Sequence, residues 1–482
     1  MAQSEKIVGP QPRPAVEPAL LKRRRSDGEP VTLTPEPLAG APVSRASTQL
    51  FIDHLRRGAK PAEQWMCGLE FELFGYAESS LRRLDAEQVR AVLSGLASTG
   101  GVPLSDGGLI TAALLDEEHG GGQVTVEPGG QVEYSGAPRP ALAEIERDVR
   151  AYLARLGAIA RESGFIFLAT GFDPVRSREE QQWFPKPRYR IMRPYLATRG
   201  LRAWDMMCRT CAIQVNVDYD SDEDLAKKFV LGNRLGPIVT AIFAGSPFET
   251  GAPSGYKSTR AAAWLETDTD RAGVSPLACT DHFSLAAFVE YACSVPMLFA
   301  RRDGGYTDAT TGLGFGAFLD GGGGVVRPVF QDWSDHLTTI FTEARLKQYI
   351  ELRSADCGGF ALTMALQALW KGLMYDPEAL DEAFKLAPKL SMGEARALQE
   401  CVAREGLAAR TGGVNVLGLS KELVRLAAAG LQRIAPAESG YLDVLAEQVI
   451  EDEVCPADIL LRNWHGRWHG SVARLVEYLR IA

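Results

Sequence analysis

The chain is 482 residues long, 46% hydrophobic and 23% charged, with a formal net charge of −9. It exceeds the about 100–200 residues usual for one domain, so two lobes or one large fold with insertions are expected, around a sizeable core. The acidic balance argues against a nucleic-acid binder, and no apolar run reaches the roughly 18 residues that cross a membrane.

Residues 1–47 are rich in Pro, Glu, Ala and Arg, carry the basic run Arg23-Arg24-Arg25 and show no apolar period, so they read as a disordered tail. Glu5, Glu17 and Asp27 argue against a transit peptide, and the absence of an apolar h-region argues against secretion. Eight thinly spread cysteines read as reduced thiols, so the expected location is cytoplasmic.

Order is expected from Thr48 onward, with residues 48–482 forming one catalytic domain. Leu50, Phe51, Ile52 and Leu55 mark a first amphipathic helix. A strand follows at 66–76, then a helix at 85–98. Residues 123–134 alternate like paired strands around the turn Pro128-Gly129-Gly130. Ile145, Val149, Leu153, Leu156 and Ile159 have helical spacing over 140–163, and 165–171 reads as a short apolar strand. Residues 207–219 read as a strand and 222–241 as a helix capped by Ser221. From about Trp333 the chain reads as mostly helical, at 345–353, 360–373, 393–403, 420–429 and 442–451. Strands early and helices late favour α+β over a doubly wound α/β fold.

Three strand segments carry polar residues at even spacing, which places them on one face. Glu70 and Glu72 share a face opposite Leu69, Phe71 and Leu73. Glu127 and Glu133 flank the Pro-Gly-Gly turn. Gln214, Asn216 and Asp218 oppose Ile213, Val215 and Val217. Such an oxygen-rich set suits Mg²⁺ bridging carboxylates and phosphates, although alternating polar residues also describe the wet face of any sheet. Cationic candidates are Arg190, Arg193, Arg209, Lys257, Arg260 and Arg353, the last next to Glu351. An arginine fork binds carboxylate or phosphate bidentately. There is no GxxxxGK[ST] and therefore no P-loop. Cys208 and Cys211 form a CxxC without a second pair, expected at a strand start and in packing rather than redox or zinc chemistry. Trp464-His465-Gly466-Arg467-Trp468-His469 reads as a loop with packed tryptophans.

At Gly68–Tyr76, at Val126–Pro138 and at Asp205–Asn216 the sequence resembles the plant- and proteobacterial-type glutamate–cysteine ligases. Further likeness lies in Gly245-Ser246-Pro247-Phe248, Thr267–Arg271, Asp335–Phe341 and Tyr349–Arg353. The resemblance covers roughly Thr48 to the C-terminus. It implies a cupped antiparallel sheet with flanking helices, similar to the glutamine synthetase catalytic fold, and a helix-rich C-terminal part. It also implies a chemistry. ATP phosphorylates the γ-carboxylate of glutamate, and the amine of cysteine attacks the acyl phosphate, giving γ-glutamylcysteine.

Carried over by position, Glu70, Glu72, Glu127, Glu133, Gln214, Asn216 and Glu351 would hold Mg²⁺ and phosphates. Arg193 and Arg260 would bind the substrate carboxylate. Arg353 and Glu351 would act in catalysis, and Arg353 with Asn216 would bind nucleotide. Implied partners are glutamate, cysteine and ATP, with neither nucleic acid nor membrane, in a monomer or weak homodimer. Two departures matter. Plant relatives read E-H-E-K-F-G-F where this chain has Glu70-Phe71-Glu72-Leu73-Phe74-Gly75-Tyr76, so a lysine is missing. The regions matching the plant redox cysteines carry Ile145, Ala309 and a cysteine-free stretch at 321–326, which argues against a plant-like disulfide switch. A ligase that joins glutamate to another amine, or an inactive scaffold, would keep the same sheet.

Overall fold

The computed structural model describes residues 38–482 except 99, 281, 322, 323 and 325. Part of the 321–326 stretch and residues 1–37 of the expected tail therefore lie outside the described residues. The tail expectation is corrected at its end. Val43 is buried, and Pro42 forms a β-bridge to Val329, so residues 38–47 pack on the body.

The centre is a ten-stranded antiparallel sheet. Its strands are β1 (Gly68–Ala77), β2 (Arg82–Arg83), β3 (Val102–Asp106), β4 (Leu109–Leu114), β5 (Gln123–Val126), β6 (Val132–Ser135), β7 (Phe165–Leu168), β8 (Ala212–Val217), β9 (Ala344–Leu346) and β10 (Ile350–Asp356). The order across the sheet is β9-β10-β8-β1-β6-β5-β4-β3, with β2 and β7 pairing the far end of β1. The expected α+β class with an antiparallel sheet and flanking helices holds.

One face of the sheet is apolar because the strands alternate. Leu69, Phe71, Ile213, Val215, Val124, Val132, Ile350 and Leu352 are all buried. The helices Leu142–Ser163, Asp222–Ile242 and Phe360–Tyr375 lie in the helical layer that packs against the sheet. The expected cap forms, with Ser221 Oγ accepting from the Asp224 amide at 3.2 Å. Of the expected 464–469 loop, Trp464 and His465 instead end the helix Pro456–His465 and the rest forms a turn, and the tryptophans pack as expected, Trp464 on Phe248 and Trp468 on Tyr478, with ring centroids 4.9 and 5.2 Å apart. No helix among the described residues is long and apolar enough to cross a membrane.

Two local expectations fail. Residues 345–353 are not a helix but the strands β9 and β10. Ile350-Glu351-Leu352-Arg353 alternates with period two, and pairing with β8 decides the matter. Residues 207–209 end the helix Ala203–Arg209, so Cys208 lies in a helical turn and the strand begins only at Ala212.

Gly372, on Phe360–Tyr375, packs against the helix Val416–Ile434. A Cβ there would stand 2.3 Å from the Ala427 carbonyl oxygen. Gly372→Ala is expected to lower the unfolding free energy by about 1–3 kcal/mol through overpacking, measured by urea denaturation. Unchanged or raised stability would contradict this packing.

Candidate active site

Register brings the acidic residues together. On β1 and β6, Glu72 stands opposite Glu133 and Glu70 opposite Ser135. On β1 and β8, Glu70 stands opposite Gln214 and Gly68 opposite Asn216. Glu127 joins from the turn between β5 and β6, where Gly130 N–H donates to the Glu127 carbonyl at 2.9 Å. Gln131 fixes that turn. Its Oε1 accepts from the Gly129 amide at 2.8 Å, and its Nε2 donates to the carbonyls of Met207 and Thr210 at 3.1 and 3.0 Å. Gly129 is required by close approach, since a Cβ would lie 2.5 Å from the Cys208 carbonyl oxygen.

Glu70, Glu72, Glu127, Glu133 and Gln214 line one cavity of about 230 Å³. Glu72 accepts from the Ala212 amide at 2.7 Å and from Gln214 Nε2 at 3.2 Å. Glu70 accepts from Asn216 Nδ2 at 3.1 Å, and Glu133 from Ser135 Oγ at 3.0 Å. Burial and the neighbouring Glu127 push the Glu72 carboxyl up to about 8. Burial and the charges of Glu127, Glu70 and Glu72 raise Glu133 well above the carboxylate range. Burial and Glu351 raise Glu70. Like charges in a desolvated cleft hold protons unless cations arrive.

The donor set fits Mg²⁺ on one further observation. The side-chain Oδ1 of Asn216, whose Nδ2 donates to Glu70 just behind the cavity wall, is buried with no hydrogen-bond partner, a free acceptor beside the acidic row. Among the described residues, no three His, Cys, Asp or Glu side chains already close around one metal-sized point. The cleft is open, as expected where Mg²⁺ keeps waters and takes substrate phosphates as ligands.

Cations border the acidic row. The register of β10 with β8 sets Arg353 opposite Gln214, and the pairing then shifts by a bulge between Leu352 and Ala355. Arg353 Nη1 donates to Gln214 Oε1 at 2.6 Å and pairs with Glu351. The carbonyls at the bulge accept from Arg260, at 2.7 Å on Arg353 and 3.3 Å on Ser354. Arg260 comes from the helix Thr259–Leu265, whose cap Ser258 donates to Asp356 at 2.7 Å.

Glu351 stands apart from the other acids. It is fully buried and off the cavity wall. Arg345 Nη2 donates to it at 2.6 Å, Lys347 Nζ lies 3.2 Å away, and Arg353 completes the ring. Burial alone would raise its pKa, but these three cations outweigh that and hold the group ionised well below the usual range. The structure thus places Glu351 among three cations and off the wall that carries the other four acids. Asn216 also lies off the cavity wall and reaches it through Glu70.

The expected substrate arginines divide. Arg260 lines the cavity. Arg193 does not. It is exposed, with its guanidinium over the rings of Trp183 and Trp204 at 4.4 and 5.0 Å. Arg188, five residues earlier, lines the cavity instead. Arg209 is spent on Asp205 and Glu249, and Lys257 on Asp458. Sequence reading also missed Lys186, Arg345 and Lys347 on the wall. Lys186 donates to the Val126 carbonyl at 2.7 Å, and burial brings it down to about 8. Arg345 and Lys347 alternate as a strand would, a signal that the helical reading of 345–353 hid. Cys208 and Cys211 are buried free thiols, with burial raising Cys208 to about 12.

This architecture is that of a solved ligase. The structure of glutamate–cysteine ligase from Francisella tularensis in complex with AMP superposes with a TM-score of 0.56, over 86% of this chain and 87% of that one, at 13% identity. Residues 66–478 match the glutamate–cysteine ligase family 2, and the chain belongs to that family of ATP-dependent ligases. It is 37% identical over 436 residues to the chloroplastic glutamate–cysteine ligase of Medicago truncatula, covering 89% of this chain and 84% of the relative. It is 36% identical over 485 residues to the chloroplastic enzyme of Brassica juncea, covering 99% and 93%. The chloroplastic location of such relatives overturns the expectation of a cytoplasmic one. Cysteine usage does not choose among reducing compartments.

The raised carboxyls make stability depend on pH. In metal-free protein the folded Glu72 keeps its proton up to about 8, whereas an ordinary carboxyl releases it near 4.5. Between those values the unfolded chain binds fewer protons, so stability falls as pH rises. Glu72→Gln is expected to flatten that fall, read as the thermal midpoint at both ends of the window in a chelator. An equal fall in both proteins would contradict it.

Proposed function

We propose that this ligase joins the γ-carboxylate of glutamate to the amine of cysteine through a γ-glutamyl phosphate, with ATP and Mg²⁺. The observation that carries the reading is the convergence of Glu70, Glu72, Glu127 and Glu133 on one cavity bordered by arginine and lysine. Family membership supports it, as does the AMP bound to the Francisella relative.

In the first step a γ-carboxylate oxygen of glutamate attacks the γ-phosphorus of ATP, and ADP leaves. In the second, the amine attacks the acyl carbon, a proton departs and phosphate is expelled. Phosphoryl transfer needs positioning and charge neutralisation more than covalent help. Glu70, Glu72, Glu127 and Glu133 would hold Mg²⁺, which would supply charge neutralisation for the phosphates. Arg353 and Arg345, oriented by Glu351, face the same oxygens with charge-assisted donors. Arg188 and Arg260 hold the α-carboxylate of glutamate at the other end. Every named group comes from one chain, so a monomer or weak homodimer suffices, and residues 38–482 form the catalytic unit.

Glu127→Ala is expected to lower kcat by about a hundredfold or more, followed as ADP release with glutamate and cysteine. Near-normal turnover would remove Glu127 from the reacting centre, and a much better amine than cysteine in the same assay would refute the proposed acceptor. Arg188→Ala is expected to raise KM for glutamate by roughly 10- to 100-fold, the loss of one charge-assisted contact. Arg193→Ala should leave KM within about twofold. The reverse outcome would return Arg193 to the substrate site.

A further inference from the structure

Beside the catalytic cavity lies a second one of about 390 Å³, inside the range of about 300–1,000 Å³ in which small-molecule sites fall. Its walls are the helices Thr259–Leu265 and Met392–Glu405 and the short parallel pair Ala272–Gly273 and Phe341–Thr342. Arg260, Trp264, Phe341 and Arg353 line both cavities.

Its chemistry is lopsided toward donors. Three guanidinium groups, Arg260, Arg353 and Arg396, face one carboxylate, Glu343. That carboxylate is already answered by Ser354 Oγ and by Gln399 Nε2, each at 2.6 Å. The indole N–H of Trp264, on the shared wall, is buried with no hydrogen-bond partner. Arg396 stands exposed at the rim, tied to the Leu265 carbonyl at 3.0 Å and to Glu400 at 3.1 Å. Leu265, Val274, Met392 and Val402 supply the apolar wall. Arg353 is paired with Glu351 and Arg396 with Glu400, so the cavity offers their remaining guanidinium N–H groups, an unanswered indole N–H and an apolar wall, which together take an acceptor on an apolar body.

We propose that this second cavity binds a small organic anion with an apolar body, and that its occupation slows ligation through the shared wall. Arg353 is the link. Its Nη1 already serves Gln214 and Glu351 on the catalytic side. An anion on the far side competes for the same guanidinium. The binding part stands on the second cavity alone, while the coupling part rests on the ligase reading.

The test uses the full chain and the fluorescent anion anilinonaphthalene sulfonate. Gly393, at the mouth, has no atom within 4 Å of an added Cβ, so Gly393→Trp introduces a plug without a clash there. Saturable binding is expected in the wild type, with ligation falling as the site fills. Gly393→Trp and Arg396→Glu should each weaken binding about tenfold or more, keep basal ADP release and lose the inhibition. Arg188→Ala should bind the probe normally. Absence of saturable binding in the wild type overturns the proposal. So does binding that survives both mouth variants and is lost in Arg188→Ala, because the probe then sits in the catalytic cavity. Wild-type protein that binds the probe yet ligates nothing sinks the ligase reading and leaves the cavity assignment standing.

Discussion

Four carboxylates held on one face of an antiparallel sheet are the constraint on which the rest depends. Gathering like charges in a desolvated cleft is unfavourable, and the raised titration of Glu70, Glu72 and Glu133 records that cost. A sheet tolerates the arrangement because backbone pairing sets the positions. A slip of one residue between β1 and β6 would turn Glu133 to the helical layer and Val132 or Tyr134 into the cleft. The apolar face therefore fixes the polar one. Burial of Leu69, Phe71 and Val132 behind the sheet holds Glu70, Glu72 and Glu133 in front of it.

The cationic border follows from the same geometry. At the bulge the carbonyls of Arg353 and Ser354 accept from Arg260, and the regular register just before it places Arg353 opposite Gln214. Glu351 balances Arg345, Lys347 and Arg353 from beneath, so the border carries net positive charge toward the cavity without three unpaired cations in the interior.

Much of this was legible in the sequence, and the part that was not has a physical reason. Glu70 with Glu72, the Glu127–Glu133 hairpin and the Gln214 strand were readable because period-two alternation survives in strands flanked by turn residues. The strands β9 and β10 were misread as helix because Leu346 and Ile350 stand four apart, a spacing a helix would also use. Only pairing with β8 resolves it. The ring of cations around Glu351 was not legible because it is assembled from β9, β10 and the turn between them. Arg188 precedes and caps the short helix Tyr189–Ala197 that carries Arg193, and no local signal tells which points to the cavity and which lies over Trp183. Residues 38–47 looked like tail because Val43 is a single apolar anchor without period.

The most direct test replaces magnesium with manganese in crystals that also hold a non-hydrolysable ATP analogue, and locates the metal by anomalous scattering. Convergence of the acidic strands predicts peaks within coordination distance of Glu70, Glu72, Glu127 and Glu133, bridged to the phosphates. Peaks elsewhere, or phosphates bound away from these four side chains, would contradict it.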